Sequence, residues 1–421
     1  MTSEERHEAR YQRRKAARMK KREEKIHEAL DFDTVFTFSH LYRSALACYR
    51  GVSWKASVQA FKARGGIHVA RRLRDLRNGI FKLKKSPEFT VRERGHERRI
   101  NSIHIEDRVP QKCLCQYALK PAMHRSLIYD NYASQEGKGT SKARERLKCA
   151  LERHIRRHGM TGGVILIDFR HYFDSIPHPV VRRVLDKHFQ DRRIVGMNMK
   201  IVRQYREGLG LILGSENSQD FAISVPSLLD HYIKECLGIE SYGRYMDDLW
   251  LIDPDYDHLR QAYEMIRLFV SKFGLQINEK KSRILRFGRP FSALKRKYSF
   301  TASGGIITRP VRETVIRERR KLKKLYHGYL KGSIALESGM DSVRAWESSI
   351  DGCKCHSILV SVRMLYTDLY IQRWLNGEEE QWHTKSPQGG RSWTLRSLQA
   401  MCGGRSVTES LFPATSLLRT A

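Results

Sequence analysis

The stretch that decides the fold is a pair of β-type runs around two adjacent acids, Tyr242-Gly243-Arg244-Tyr245-Met246-Asp247-Asp248-Leu249-Trp250-Leu251-Ile252. Runs rich in aromatic and apolar residues on both sides of a short polar break predict a β-hairpin. We therefore expect Asp247 and Asp248 to lie at the turn of that hairpin.

A second strand that ends in a carboxylate precedes this hairpin. Residues 163–168 form a continuous apolar, β-branched run that ends at Asp168, and such a run is typical of a buried strand. If this strand lies beside the hairpin, three carboxylates meet at one sheet edge, where like charges repel unless cations neutralise them. The chemistry that needs such a cluster is two-metal catalysis, in which Mg²⁺ ions activate a hydroxyl and stabilise a leaving pyrophosphate.

The same acids have an ordinary structural interpretation. An Asp after a strand is often a turn or N-cap residue, and an Asp-Asp pair at a hairpin is often turn chemistry alone. Taken singly, Asp168 and the pair Asp247-Asp248 leave both interpretations open.

The composition points to a polyanionic partner. The 421 residues include 78 Lys and Arg against 46 Asp and Glu, a formal net charge of +32, and 40% are hydrophobic. This excludes an acidic soluble enzyme and a disordered basic tail, because the chain can bury a sizeable core. Nucleic acid is the first candidate partner, since Lys and Arg gain free energy on phosphates by counterion release, and an anionic membrane surface is the alternative.

The sequence carries no sign of a membrane span or a disulfide framework. No stretch approaches the roughly 18 uninterrupted apolar residues of a membrane helix, and the first thirty residues lack an apolar signal core. We therefore expect a cytoplasmic protein. Eight cysteines are spread along the chain, and the pairs Cys113/Cys115 and Cys353/Cys355 have one-residue spacers that suit zinc poorly. Reduced thiols are expected.

Apolar periodicity predicts the order of the remaining elements. Two short strands form a hairpin with a cationic tip, and another strand pair and a Gly-tipped hairpin follow the acidic hairpin; these lie at 89–92, 100–105, 275–287 and 298–307. The predicted helices lie at 4–30, 37–85 with glycine interruptions, 107–124, 141–157, 180–189, 195–207, 218–237, 259–273, 311–330 and 342–374.

Several of these segments together resemble the motifs of reverse transcriptases. Tyr245-Met246-Asp247-Asp248 resembles their Tyr-x-Asp-Asp box, and the segment Asp168–Ile176 resembles the palm motif that supplies their other metal-binding aspartate. Between them, 208–219 is similar to the motif that cradles the templating base and incoming nucleotide. The resemblance covers roughly residues 37–310 in the family's order, and it includes fingers motifs at 94–100 and 131–140 and a lysine segment at 274–282.

This resemblance implies an α+β right-hand polymerase fold with fingers, a palm built on an antiparallel sheet, and a small helical thumb. The implied boundaries are a basic N-terminal arm at 1–36, fingers at 37–160, a palm with finger insertions at 161–310, a helical thumb at 311–375 and a loosely ordered tail at 376–421.

The resemblance also implies a catalytic set. Asp168, Asp247 and Asp248 would bind two Mg²⁺ ions, with Mn²⁺ as an alternative metal. Lys281, or Lys280 in the alternative register, would protonate or neutralise the departing pyrophosphate.

A nucleotide-binding set is implied in the same way. The residues are Arg98 on the triphosphate, where a guanidinium fork suits phosphate oxygens, Phe173 under the sugar to exclude a 2′-hydroxyl, Tyr245 near the primer end, and the cradling residues Leu213, Gly214, Ser218 and Gln219.

The cradling motif departs from the commonest form of the family. Retroviral and group II intron enzymes have Pro-Gln-Gly and then Ser-Pro, whereas this chain has Ile212-Leu213-Gly214 and then Ser218-Gln219. The variant resembles the diversity-generating retroelement and antiphage-defence branches, and so implies a bacterial or phage enzyme in the cytoplasm of a bacterial or phage-infected cell. It also implies error-prone copying at template adenines, since Leu213 has no polar group to hold template and nucleotide in register.

The function implied is that of an RNA-directed DNA polymerase, a nucleotidyltransferase. Its partners would be an RNA template, a DNA or RNA primer and dNTPs, together with a dedicated non-coding RNA or a small basic accessory protein, and no membrane. Two alternatives stay open: a catalytically idle, maturase-like RNA-binding protein, and a defence polymerase that makes untemplated or self-primed DNA.

Overall fold

The computed structural model describes residues 2–26, 31–93, 96–204 and 207–372, so the predicted tail at 376–421 lies outside the described residues. The chain divides into two compact units. The first takes residues up to Arg289 together with Ala302–Ile306, and the second takes Pro290–Thr301 and the residues from Ile307 onward. Within the described ranges, no helix has both the length and the apolar character that a membrane crossing requires.

The first unit contains the acidic strands and most of the helices. Its strands are β1 (Glu88–Glu93), β2 (His96–Asn101), β3 (Gly163–Asp168), β4 (Ser241–Tyr245), β5 (Asp248–Asp253) and β6 (Arg283–Arg286). Its helices are α1 (Ser3–Ile26), α2 (Phe32–Val35), α3 (Phe38–Tyr49), α4 (Ala56–Ala63), α5 (Gly65–Arg77), α6 (Ile105–Leu114), α7 (Lys120–Met123), α8 (Thr140–His158), α9 (Tyr172–Ser175), α10 (His178–His188), α11 (Arg192–Arg203), α12 (Glu216–Ser224), α13 (Ser227–Glu235) and α14 (Tyr256–Ser271).

The centre of this unit is a four-stranded antiparallel sheet in the order β4-β5-β3-β6. The apolar run that predicted a buried strand forms β3, whose Val164, Ile165 and Ile167 are buried. Because β3 lies between β5 and β6, both its backbone edges are paired. Helix α8 contacts β4 and β5, and α14 contacts β3, so the sheet is fixed within a helical shell.

The hairpin predicted from 89–92 and 100–105 is formed by β1 and β2, with Glu88 opposite Asn101 and Glu93 opposite His96. Its second strand therefore begins and ends about four residues earlier than predicted. The helix predicted over 218–237 is instead two helices, α12 and α13, which end and begin on either side of Val225-Pro226. Proline has no backbone N–H to donate within a helix. The break therefore follows from Pro226.

The strand pair predicted over 275–287 is only one strand, β6. The backbone before it bonds to the residues around Asp168 instead of forming a hairpin: Arg170 N–H donates to the Gln276 carbonyl at 2.8 Å and Asn278 N–H donates to the Asp168 carbonyl at 2.8 Å. These contacts hold the segment as a loop against the end of β3.

Within the described residues, the second unit joins a three-stranded sheet to three α-helices. Its elements are β7 (Phe291–Ala293), β8 (Arg296–Phe300), β9 (Ile306–Pro310), α15 (Arg312–Leu330), α16 (Glu337–Ser349) and α17 (His356–Thr367). Buried Arg296 of β8 donates to the carbonyls of Ser349 and Asp351 at 2.7 and 3.0 Å. These bonds join the sheet to the helices, and this compact unit begins near Pro290.

None of the seven cysteines within the described residues forms a disulfide. Burial raises the pKa of the Cys48 thiol to about 11 and that of the Cys113 thiol to about 12. Both therefore stay protonated and poorly nucleophilic near neutral pH, in agreement with the expectation of reduced structural thiols.

Candidate active site

The pairing of β3 with β5 brings the predicted acids together at one sheet edge. Asp168, the last residue of β3, lies directly opposite Asp248, the first residue of β5. Directly opposed residues of an antiparallel pair project from the same face, with Cβ atoms about 5 Å apart. Asp247 precedes Asp248 in the turn that joins β4 to β5. Asp168 and Asp247 are half-buried and Asp248 is exposed.

Three residues of the loop before β6 fix the position of Asp168. Asn278 Nδ2 donates to Asp168 Oδ1 at 2.9 Å, and the Asp168 N–H donates to Ser282 Oγ at 3.1 Å. Lys281 Nζ lies 3.2 Å from Asp168 Oδ2. Among the described side chains it is Lys281, and not Lys280, that donates to Asp168, which favours the first of the two predicted registers.

A buried ion pair supports the turn that carries Asp247. Arg244 is fully buried and bonds to both oxygens of Asp230 at 2.8 and 2.7 Å. The same guanidinium donates to the carbonyl of Met246 at 3.2 Å and to that of Ile223 at 2.8 Å. Met246 has φ +55°, a left-handed conformation that a non-glycine residue adopts only when its surroundings hold it. Arg244 thus ties the acidic turn to α12 and α13.

The aromatic residues after Asp168 form a packed cluster. Tyr172 is buried, stacks on Phe169 with ring centroids 5.4 Å apart, and meets Phe173 edge-on at 5.8 Å. Burial raises the pKa of the Tyr172 phenol, and its hydroxyl donates to the Ala222 carbonyl. Phe173 is half-buried, so its ring is positioned by Tyr172 while one part stays accessible.

Of the predicted cradling residues, Leu213 and Gly214 lie just before α12, and Ser218 and Gln219 lie within it. The Leu213 carbonyl accepts from the Asn101 N–H at 3.4 Å, which joins this segment to the end of β2. Gly214 has φ +108°, and a Cβ there would lie 3.3 Å from the Asn101 carbonyl oxygen. Ser218 is buried whereas Gln219 is exposed, so Gln219 is the more accessible of the two to a nucleotide.

The other two predicted nucleotide-binding residues, Arg98 and Tyr245, lie on strands β2 and β4. The backbone of Arg98 lies in β2 opposite Val91, and its side chain lies outside the described residues. Tyr245 ends β4 opposite Asp248 and is half-buried. The strand pairing therefore places Tyr245 beside the acids.

The acids do not form a closed metal cage. Across the ranges that the structure describes, no three His, Cys, Asp or Glu side chains gather closely enough to hold a metal ion. Mg²⁺ sites in enzymes that bind nucleotide phosphates typically use one or two carboxylates, with water and substrate oxygens completing the octahedron. Asp168 opposite Asp248, with Asp247 adjacent, supplies hard oxygen donors of that kind, so the residues fit a divalent cation.

Sequence reasoning missed several residues that shape this site. Asn278 and Ser282 had no assigned role, and the partner of Arg244 was unknown. The sequence did indicate that Arg244 has a buried partner, because a charged side chain within an apolar strand is stable only when it is paired. The sequence could not show that this partner is Asp230.

The comparisons with solved structures give distant similarities. One is an apo telomerase from Candida tropicalis truncated from the C-terminal domain, at 12% identity, with 53% of this chain and 55% of that chain covered and a TM-score of 0.43. Another is a telomerase from Candida albicans in complex with a TWJ fragment of telomeric RNA, at 13% identity, with 72% and 63% covered and a TM-score of 0.40. The chain thus spans less than two thirds of either telomerase, and it matches no curated protein.

The family comparison covers more than half of the chain. Residues 83–322 match the family described as reverse transcriptase (RNA-dependent DNA polymerase). This range contains the hairpin β1–β2, the four-stranded sheet and the loop at 277–282. The match confirms the α+β right-hand polymerase fold expected from the sequence, and the chain belongs to the reverse transcriptase family.

Proposed function

We propose that this protein is an RNA-directed DNA polymerase that adds dNTPs to a primer on an RNA template. The observation that carries the proposal is the register of β3 on β5, which sets Asp168 opposite Asp248 beside the turn at Asp247. A carboxylate set in this geometry, on a chain of net charge +32, fits an enzyme that concentrates acids for catalysis and binds nucleic acid with its other surfaces.

The residues have distinct roles in this reaction. Asp168, Asp247 and Asp248 would bind Mg²⁺ or Mn²⁺, and the bound metal would activate the primer hydroxyl and stabilise charge on the leaving oxygen. Asn278 and Ser282 orient Asp168.

Lys281 would neutralise or protonate the departing pyrophosphate once the triphosphate occupies the site, because its side chain is 66% exposed and its Nζ lies 3.2 Å from Asp168 Oδ2.

The remaining nucleotide contacts are assigned from where the predicted residues lie in the fold. Phe173, five residues after Asp168, keeps part of its ring accessible, and its bulk would exclude a 2′-hydroxyl and favour deoxynucleotides. Gln219 and Gly214 lie at the cradling motif, and Arg98 on β2 would contact the triphosphate.

The biological setting is also a proposal. The Leu213-Gly214 and Ser218-Gln219 variant supports a diversity-generating retroelement or antiphage-defence enzyme of a bacterium or phage, active in the cytoplasm. A dedicated non-coding RNA or a small basic accessory protein would then be a partner.

The double variant Asp247→Asn with Asp248→Asn tests the polymerase. We expect dNTP incorporation on a primed RNA to fall at least about 1,000-fold, because several kcal/mol of transition-state charge stabilisation are lost. Asp257→Asn, an exposed acid of α14 in the same unit, is the matched control and should retain activity. If the double variant incorporates dNTPs at the wild-type rate, the acids are not catalytic, whereas a wild-type protein that incorporates no dNTP would favour the idle RNA-binding alternative.

A further inference from the structure

A groove within the second unit has no role in the chemistry above. It has a volume of about 540 Å³, within the range of roughly 300–1,000 Å³ that is typical of ligand pockets. One wall is the first two turns of α15, where Arg312, Val315, Ile316 and Arg319 follow at a spacing that puts them on one helix face. The other walls come from β8, the end of β9 and the start of α17.

The charged side chains of the groove are all cations. They are Lys297, Arg309, Arg312 and Arg319, each of them exposed, and no acid lines the groove. Arg319 Nη2 donates to Ser361 Oγ at 2.8 Å, but within the described part of the chain none of the four pairs with a carboxylate. A cleft lined by charges of one sign attracts the opposite charge, so the occupant of this groove should be anionic.

The N-terminus of α15 adds to the positive potential. The helix begins at Arg312, which lines the groove, and Val311 at its N-cap makes no side-chain hydrogen bond to the first turn. The first N–H groups of a helix and its dipole both favour a negative charge at this end. A carboxylate or a phosphate would satisfy them.

The apolar lining of the groove distinguishes between these two anions. Pro310 and Val315 are buried, and Ile316 and Ile358 are half-buried. The phosphates of a nucleic acid would pair with the cations but would leave the apolar side chains uncovered. An acidic peptide that also carries an aromatic side chain would cover both, because an aromatic ring buries a large apolar area.

The chain itself contains such a peptide beyond the described residues. Residues 378–382 read Glu-Glu-Glu-Gln-Trp, and they include the only run of three consecutive acids in the sequence. This acidic segment therefore has both the charge and the aromatic side chain that the groove favours.

The acidic segment is also close enough along the chain to reach the groove. The described residues end at Gln372, in the helical turn that follows α17, and Ile358 lies fourteen positions earlier, about 20 Å away at 1.5 Å per residue. Glu380 and Trp382 follow Gln372 by eight and ten positions, which an extended chain turns into about 26 and 33 Å. The segment can thus fold back along α17 to Ile358.

We propose that the acidic segment 378–382 binds in this groove of its own chain, with its glutamates on the four cations and Trp382 on the apolar lining. The bound segment shields the cations from RNA until an RNA strand displaces it. The shielding rests on the proposed function in taking RNA as a ligand, whereas the docking does not.

Carbodiimide coupling of the full-length protein tests the docking without RNA or dNTPs. The reagent joins a carboxylate to a lysine amine in contact with it, and mass spectrometry identifies the joined peptides. We expect Lys297 to be joined to Glu378, Glu379 or Glu380, and absence of this product would overturn the proposal. Mixing ¹⁵N-labelled with unlabelled protein separates joining within one chain from joining between two. A product that combines both labels would overturn docking within one chain and assign the groove to a second copy.

A variant without the arginines of the groove tests whether its charge holds the segment. It keeps Lys297 and the three glutamates, so the yield of the joined product should fall by about fivefold, the combined effect of three exposed ion pairs. The substitutions are Arg309→Gln, Arg312→Gln and Arg319→Gln. The matched control removes three exposed arginines of the first unit, Arg192→Gln, Arg260→Gln and Arg267→Gln. Equal yields from the two variants would contradict docking in this groove.

RNA affinity tests the shielding. Replacing Glu378, Glu379 and Glu380 by Gln should tighten RNA binding at least about threefold in fluorescence anisotropy at fixed salt, since apparent affinity rises with the fraction of protein whose groove is open. The control removes three exposed acids of the first unit, Glu145→Gln, Glu152→Gln and Glu264→Gln. An equal effect in both variants would overturn the shielding. A wild-type protein that gives the joined product but incorporates no dNTP would refute the polymerase and leave the docking standing.

Discussion

The position of a single carboxylate, Asp168, depends on neighbours that are recognisable only in the folded chain. The aspartates at 168, 247 and 248 could be predicted from sequence because each follows or interrupts an apolar run. Asn278 could not, since an Asn in a polar loop has many possible partners. Its amide is nevertheless the group that fixes Asp168 Oδ1.

Asn278→Ala should therefore lower kcat while leaving the affinity for primed RNA unchanged. A hydrogen bond to a charged group contributes about 1.5–3 kcal/mol, so we expect a fall of roughly 10- to 100-fold in single-turnover dNTP incorporation, and a higher Mg²⁺ concentration for half-maximal rate. Glu279→Ala, the exposed neighbour, is the control. A variant with normal kcat and weaker RNA binding would show that Asn278 does not act through Asp168.

Substitution of Leu213 tests whether the cradling motif causes the expected error-prone copying. Its side chain is half-buried and has no polar group to hold a template base. Leu213→Gln should lower misincorporation opposite template adenine, as measured by sequencing cDNA copied from a defined RNA. Leu213→Met keeps an apolar side chain and should behave as the wild type. Equal error rates in wild type and Leu213→Gln would refute the idea.

At the scale of elements, strands were predicted best where an apolar run was long enough to be buried on both faces. The bounds of β3 and of the hairpin β4–β5 follow directly from such runs. The strand that was predicted before β6 is absent. Leu275 and Ile277 are apolar and suggest a strand, but the backbone of this segment bonds to the end of β3 instead. Tertiary hydrogen bonds of this kind override local pattern.

The ion pair between Arg244 of β4 and Asp230 of α13 should contribute strongly to the free energy of unfolding. Asp230→Asn leaves the Arg244 guanidinium buried beside a neutral partner, and breaking a buried pair on one side costs about 3–5 kcal/mol. We expect a loss of that size in the free energy of unfolding, measured by urea denaturation. Asp186→Asn removes a half-exposed partner of Arg182 and should cost less than about 1 kcal/mol. Similar losses in the two variants would contradict the structural role of Arg244.

At the scale of the whole molecule, charge was readable from sequence but the division into units was not. The excess of 78 basic over 46 acidic residues already indicated a polyanionic partner. The boundary near Pro290 depends on which helices the sheet β7–β9 bonds to, and no local pattern specifies that.

The charge predicts a steep salt dependence of RNA binding. The logarithm of the association constant should fall linearly with the logarithm of salt concentration, with a slope of about −0.7 for each phosphate contacted on a single strand. Anisotropy titrations between 50 and 300 mM salt, roughly the range where such contacts are lost, measure it. Asp247→Asn with Asp248→Asn should keep the wild-type slope, and binding that is insensitive to salt would contradict a phosphate-holding surface.

The loop that bonds to Asp168 affects when this part of the protein can fold during its synthesis. Asp168 bonds to Asn278, Lys281 and Ser282, partners 110, 113 and 114 positions further along the chain. Contacts of such large sequence separation form late, because a long loop must close before they contribute. During synthesis the strand carrying Asp168 leaves the ribosome well before its partners. The nascent chain therefore cannot hold the Asp168 carboxylate in this way until residue 282 has emerged.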